Sequence, residues 1–258
     1  MNILVTGGTG VLGREVVKGL RESGNRVRVL SRKPGTGDDW TQGDLATGAG
    51  LDRAVMGMDA IVHAGSATIQ PFRLHATDVV GTRRLLAMAR EAGVRHVVYI
   101  SIVGIDGVAY PYYRSKVAAE AVVRENIVPW SILRATQFHR LIDVFLSGFS
   151  RLPGLITVPY KWQYQPVDAA EVASRLIATV TGEPAGMLPD FGGPEVRDFE
   201  SLAASWLKAR NSSKRMVNLW LPFKVSRQFG EGRLLCPDHR DGNTTFEQYL
   251  RKRYPPIS

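Results

Sequence analysis

Val5-Thr6-Gly7-Gly8-Thr9-Gly10-Val11-Leu12-Gly13 follows directly on the apolar run Ile3-Leu4-Val5 and leads into an amphipathic segment. Its glycines are spaced Gly7-x-x-Gly10-x-x-Gly13. At the end of a strand and the start of a helix, each of these positions has a physical use. Gly7 permits a sharp turn out of the strand, Gly10 lets the backbone approach a pyrophosphate, and Gly13 lets the helix pack closely. The helix start over Thr9, Gly10, Val11, Leu12 and Gly13 then offers free N–H groups and a partial positive charge to the phosphates. The turn predicts a dinucleotide site.

Working outward, the first half alternates short Val- and Ile-rich runs with helix-length amphipathic segments. Strands are expected at 2–6, 26–30, 60–63, 96–100 and 130–133, and helices at 11–23, 51–56, 74–92 and 112–125. The runs lack polar alternation, as strands covered on both faces do. This order predicts an α/β chain with a Rossmann-like, doubly wound parallel sheet. After Arg134 the pattern loosens. Helices are expected at 138–149, 169–180, 199–210 and 246–253, with a short strand at 186–191 and an otherwise irregular tail. The expected organisation is one NAD(P)-binding Rossmann domain over 1–258. A small C-terminal substrate lobe is expected from about 138–165 and 192–258, at the carboxyl ends of the strands where open α/β sheets bind ligands.

The second run ends Val29-Leu30-Ser31-Arg32-Lys33. A site built for NAD places Asp or Glu here to accept hydrogen bonds from the adenosine ribose, and that carboxylate repels a 2′-phosphate. Ser31 and Arg32 instead present a hydroxyl and a guanidinium suited to the phosphate. NADP(H) is therefore the expected cofactor. Asp44-Leu45 follows the next short strand and is placed at the adenine edge.

Composition narrows the function classes. The chain has 258 residues, a net charge of +9, 44% hydrophobic and 22% charged residues. The basic excess is spread over both halves, unlike the concentrated patch of a nucleic-acid reader, so no nucleic-acid partner is expected. No apolar run reaches membrane-spanning length and no signal peptide pattern opens the chain, so no membrane partner is expected. The single cysteine, Cys236, fits a reducing compartment, and the expected location is cytoplasmic. Cys236-Pro237-Asp238-His239 lacks further ligands nearby and reads as a loop, with no metal expected.

On these residues the chain resembles the atypical or extended short-chain dehydrogenase/reductases, close to the NmrA-like and NAD(P)-dependent epimerase/dehydratase groups. The resemblance runs through Thr6 to Gly13, Gly43-Asp44-Leu45, His63-Ala64-Gly65 and Tyr112-Tyr113-Arg114-Ser115-Lys116. It continues more loosely through Arg134-Ala135-Thr136-Gln137-Phe138 and Pro166-Val167-Asp168-Ala169. It implies that Ala64 and Gly65 line the cofactor, and that the segment with Ala135, Thr136 and Phe138 passes the nicotinamide. It also implies that Tyr112 exchanges a proton with the substrate oxygen while Lys116 holds the nicotinamide ribose and lowers the tyrosine pKa. Tyr112 and Lys116 lie four apart and share a helix face.

One departure stands out. Such enzymes place a Ser or Thr beyond the preceding strand, and here that strand runs Ile100-Ser101-Ile102-Val103-Gly104. Ser101 is the candidate third catalytic residue, though it stands earlier in the chain than the usual position beyond the strand. The expected activity is NADPH-dependent reduction of a small or medium apolar carbonyl, enone or quinone, the apolar preference resting on Phe138, Leu141, Phe145, Leu152, Leu155, Trp162 and Tyr164. The rivals are an NAD(P)-dependent sugar epimerase/dehydratase and an NmrA-like redox-sensing regulatory protein without catalysis. The expected partner is a small-molecule substrate, and the oligomeric state stays open between monomer and homodimer.

Overall fold

The computed structural model describes residues 1–37, 39–68 and 70–255. The chain packs as two compact units. The first comprises residues 1–101, 110–134 and 170–189, and the second residues 102–109, 135–169 and 190–258. The last three residues of the lobe expected from the sequence, 256–258, lie outside the described residues.

β1 (Asn2–Thr6), β2 (Arg26–Ser31), β3 (Trp40–Gln42), β4 (Ala60–His63), β5 (His96–Ile102), β6 (Trp130–Ala135) and β9 (Gly186–Met187) form one sheet, all of it in the first unit except the end residues Ile102 and Ala135. Its order is β3-β2-β1-β4-β5-β6-β9. Register is parallel on both sides of β1, with Leu4 opposite Arg28 on one neighbour and Ile61 on the other. The order reverses between β1 and β4, the switch point at which doubly wound sheets bind ligands. Ile3, Leu4 and Val5 are fully buried, which explains why the run shows no alternation.

Helices α1 (Val11–Glu22), α2 (Leu51–Val55), α3 (Gly81–Glu91), α4 (Pro111–Arg124) and α6 (Ala169–Val180) accompany the sheet. Leu30, Ile61, Leu85, Leu86, Val97 and Val123 belong to one buried cluster, the apolar faces of helices closing on a sheet. The segment expected as one helix over 74–92 is two pieces. A π-helix, His75–Val80, runs directly into α3. Ala76, Val79 and Val80 suit either winding, so apolar spacing alone does not reveal the extra residue per turn.

The second unit has its own core of Ile142, Leu146, Ile156, Val158, Tyr164, Phe199, Leu202, Trp206, Phe246 and Leu250. It contains α5 (His139–Phe149), β7 (Leu155–Pro159), β8 (Gln163–Tyr164), β10 (Arg197–Asp198), α7 (Phe199–Ala209), β11 (Arg215–Leu219), α8 (Lys224–Gly230) and α9 (Phe246–Arg253). β7 pairs in parallel with β11, Ile156 opposite Met216. The sequence suggested loops at both places, because Pro153, Gly154 and Pro159 frame β7 and its partner lies far along the chain. The buried Asp143 carboxylate on α5 accepts hydrogen bonds from Trp206 Nε1 at 2.8 Å and Tyr254 OH at 2.6 Å, and pairs with Arg140. Cys236 is a buried thiol pushed up to about 12 by desolvation, which makes it inert. Among the described residues no group of three or more His, Cys, Asp and Glu is placed to hold a metal ion, and no helix is long and apolar enough to cross a membrane.

Candidate active site

The glycine turn sits at the carboxyl end of β1. Gly7 has φ +69, and a β-carbon there would lie 2.5 Å from the Ala64 carbonyl oxygen and 2.8 Å from Gly65 N. The turn therefore interlocks with the end of β4, where Ala64 and Gly65 were expected. A β-carbon on Gly13 would meet the Gly7 carbonyl oxygen at 2.1 Å and Gly8 Cα at 2.7 Å. Gly13 thus packs on the turn itself. Gly10 differs from both. It has ordinary φ −75 and ψ 177, and a β-carbon would meet only the Gly7 carbonyl oxygen, at 3.2 Å. The protein crowds this position less than it crowds Gly7 or Gly13, which suits a backbone that a ligand approaches. Gly10 is also the N-cap of α1, where no side chain caps the helix and no acid lies in the first turn. Thr9, Gly10 and Val11 are exposed while Leu12 is buried. Free N–H groups without a competing carboxylate suit a pyrophosphate.

Ser31 is buried, and its hydroxyl oxygen accepts the Lys33 N–H at 3.1 Å. Arg32 is exposed and donates to Gln70 Oε1 at 3.1 Å. Beside it opens a cleft of about 320 Å³ lined by Arg32, Gln42, Gly43, Asp44, Gly50 and Arg53. Arg53 carries no sequence motif, standing in the middle of the five-residue α2. Asp44 pairs with Arg73 at 2.5 Å and accepts the Ala46 N–H at 2.9 Å. Although burial opposes it, the Ala46 N–H and Arg73 hold its carboxyl below the usual range. Leu45 is buried in the core and would touch a β-carbon on Gly65 at 2.7 Å.

The hydrogen bonds at the end of β4 have a determined direction. Thr82 Oγ1 donates to the Asp78 carbonyl at 2.5 Å, so it accepts from His63 Nε2 at 2.9 Å. His63 is buried and held neutral, its pKa pushed down to about 3 by desolvation and by Lys116. Its Nδ1 therefore accepts from Thr6 Oγ1 at 2.7 Å, and Thr6 Oγ1 in turn accepts Gly65 N–H at 3.0 Å. This chain ties the end of β1, the Gly65 loop, α3 and the π-helix together through one imidazole tautomer. In sequence, His63 shows only as the first residue of His63-Ala64-Gly65, with nothing to mark its two hydrogen bonds.

Lys116 on α4 is buried, donates to the Ile100 carbonyl at 2.6 Å, and lies 4.0 Å from the Tyr99 ring centroid. Desolvation pulls its pKa down to about 8, against Asp78 and Glu120. Glu120 is already bound through both oxygens by Arg134, at 2.9 and 2.7 Å. Tyr112, one turn earlier, is partly buried, and desolvation raises its phenol pKa against the opposing hydroxyls of Thr68 and Ser66. Ser101 is 3% exposed and its hydroxyl has no partner. Ser66 Oγ and Asp78 Oδ1 are likewise buried without a hydrogen bond of good geometry. A buried hydroxyl without a partner marks a place where a polar ligand completes the bonding. Glycine turn, uncapped helix and orphaned atoms together fit a bound dinucleotide.

Ala135, Thr136 and Phe138 belong to the second unit. Thr136 Oγ1 accepts the Gly193 N–H at 3.2 Å, and Phe138 is the N-cap of α5. Two of the aromatic residues expected beside a substrate are otherwise engaged. Tyr164 is core, and Trp162 packs edge-on to Phe229 while donating to Ser226 Oγ at 2.8 Å. Leu152 and Leu155 remain exposed.

Residues 7–140 match the sequence profile of a family described as NAD(P)H-binding. The chain belongs to this NAD(P)H-binding family. The matched stretch holds the glycine turn, Arg32, Asp44, His63, Tyr112 and Lys116. Two curated relatives are a (4-alkanoyl-5-oxo-2,5-dihydrofuran-3-yl)methyl phosphate reductase of Streptomyces griseus subsp. griseus, 33% identical, and a ceramide reductase of Caulobacter vibrioides, 32% identical. The matches cover 70% and 68% of this chain but only 63% and 60% of those relatives. A short-chain dehydrogenase/reductase superfamily protein of Agrobacterium tumefaciens, solved with bound NAD, superposes with a TM-score of 0.73. It is 23% identical and covers 98% of this chain and 95% of its own. The fold is that of the short-chain dehydrogenase/reductases.

Proposed function

We propose that the protein is an NADPH-dependent reductase of a small or medium apolar carbonyl, enone or quinone. The observation that carries this reading is Tyr112 and Lys116 four positions apart on α4, with the Ser66 hydroxyl against the Tyr112 phenol and the buried Ser101 hydroxyl at the end of β5 without a partner. When bound, NADPH supplies two electrons to the substrate. The uncapped end of α1 would hold the pyrophosphate, and Lys116 would place its remaining donors on the ribose. Tyr112 would give its proton to the substrate oxygen. A phenol with a raised pKa stays protonated at neutral pH, as a proton donor in a reduction must. Ser101 would orient the substrate oxygen.

Arg32 and Arg53 on one cleft support the preference for NADPH, since two guanidiniums suit a phosphomonoester dianion. Both relatives carry reductase names, which supports the direction of the reaction.

The test is steady consumption of NADPH with a panel of cyclic enones, quinones and ketones. Conversion of a sugar nucleotide without net NADPH use, on tightly retained cofactor, favours an epimerase/dehydratase instead. Tight cofactor binding with neither activity favours a redox sensor.

A further inference from the structure

Strands β7 and β11 form a two-stranded sheet of their own in the second unit. One face of it meets the core, through Ile156, Val158 and Met216. In the parallel register Leu155 lies level with Arg215 and Thr157 with Val217, so these four share the other face. Leu155 and Val217 are exposed there, at positions where a solvated strand face normally carries polar residues. The apolar surface continues past the strand ends. The Tyr160 N–H donates to the Leu219 carbonyl at 3.0 Å, which sets Tyr160 beside the run Leu219-Trp220-Leu221-Pro222-Phe223. Trp220 is 73% exposed, Phe223 63% and Tyr160 49%. Scattered exposed apolar side chains need no explanation, but three open rings at one corner do.

The charges around this corner have one sign. The chain carries no Asp or Glu from residue 144 to 167 or from 201 to 230. Lys161, Arg215 and Lys224 are exposed, and none of them pairs with a carboxylate among the described residues. The Lys161 ammonium lies 5.2 Å from the Tyr160 ring centroid. Glu231, the first acid beyond the second stretch, is engaged by Arg227 and Arg233.

We propose that this corner of the second unit is a peripheral docking surface for an anionic phospholipid bilayer. Trp220, Phe223 and Tyr160 enter the headgroup boundary, where amphipathic rings are favoured, and Lys161, Arg215 and Lys224 face the lipid phosphates. No spanning helix is needed, which is why the lengths of the apolar runs give no sign of it. Two other occupants fit the chemistry less well. A second copy docked through the same face would bring the unpaired cations together. A single-stranded nucleic acid would stack on the rings but gain nothing from Val217, Leu219, Leu221 and Pro222, whereas a bilayer boundary takes aliphatic groups as well as rings.

The test is flotation of the full-length protein with phosphatidylcholine vesicles, with and without phosphatidylglycerol, in the absence of cofactor and substrate. Binding is expected to the vesicles that contain phosphatidylglycerol, and it should weaken as salt is raised. Trp220→Ala combined with Phe223→Ala should lower the partition coefficient by roughly tenfold or more, from the apolar area withdrawn. Lys161→Gln and Lys224→Gln should each lower it by roughly fivefold, the effect of one basic residue at a charged surface. All four positions are exposed, so the circular dichroism of the variants should match that of the parent. Lipids brominated along the acyl chain should quench the parent's tryptophan fluorescence, and Trp220→Phe should lose that quenching while still binding. Absence of flotation with the phosphatidylglycerol vesicles overturns the proposal, as does flotation that the four substitutions leave unchanged. Self-association or oligonucleotide binding that alone responds to these substitutions overturns it in favour of the other occupant. A failed search for a reducible substrate touches none of these outcomes, so this surface and the reductase reading fail separately.

Discussion

The carbonyl oxygen of Gly7 lies 2.1 Å from where a β-carbon on residue 13 would stand. The first and third glycines of the turn thus exclude a side chain from each other, while the second has only the milder 3.2 Å approach to the same oxygen. Gly13→Ala should force backbone apart and cost about 1–3 kcal/mol, as overpacking does. Gly10→Ala should leave stability within about 1 kcal/mol of the parent, because its backbone angles suit alanine. Yet Gly10→Ala should weaken NADPH binding. Thermal unfolding and calorimetric titration of both variants check the contrast. Normal cofactor affinity in Gly10→Ala would show that the phosphates lie elsewhere.

Arg32 and Arg53 make a second prediction. Each charge-assisted contact to a 2′-phosphate contributes about 1.5–3 kcal/mol. Arg32→Ala and Arg53→Ala should each lower the preference for NADPH over NADH by roughly tenfold or more, with little effect on NADH affinity. Calorimetry with both cofactors reads this directly. A loss shared equally by NADPH and NADH would place the arginines on a part common to both molecules.

A third prediction concerns His63 and acid. Its folded pKa, about 3, lies below the unfolded value of 6.5, so the unfolded chain binds the extra proton first. The stability involved is fully present above pH 6.5 and is lost as pH falls from there toward 3. Within that window the loss approaches about 1.4 kcal/mol per pH unit. His63→Gln should be less stable at pH 7 through broken bonds to Thr6 and Thr82, and flatter between pH 6.5 and 4.5. Denaturant unfolding at several pH values checks this. Equal slopes would mean that His63 is charged in the folded protein.

Much of the first unit is legible in the sequence because the determinants are local. Ile3-Leu4-Val5 before Gly7-x-x-Gly10-x-x-Gly13 contains strand, turn and helix in adjacent residues, and Tyr112 and Lys116 need only helical spacing. What escapes the sequence is non-local or a matter of winding. Asp78 carries no motif in the sequence, and its burial on the π-helix shows only in the structure. The pairing of 155–159 with 215–219 depends on residues far apart in the chain. Trp162 and Tyr164 match a substrate wall as well as a core in sequence, and only packing against Phe199 and Phe229 separates the two.

The fourth prediction separates the two helix partners on α4. Tyr112→Phe should leave NADPH affinity nearly unchanged while turnover falls by roughly 100- to 10,000-fold, the effect of losing a positioned acid. Lys116→Ala should weaken both cofactor binding and turnover. The double variant should cost less than the product of the two, since the residues act as one unit. Full turnover in Tyr112→Phe would assign the proton to another donor.

The most direct test of the central claim is the stoichiometry of NADPH oxidation against a panel of quinones, cyclic enones and ketones. The reductase reading predicts that at least one compound is reduced, with one NADPH consumed per substrate over many turnovers of each protein molecule. It also predicts that NADH supports the same reaction more weakly. Tight binding of NADPH with no consumption by any compound would contradict it.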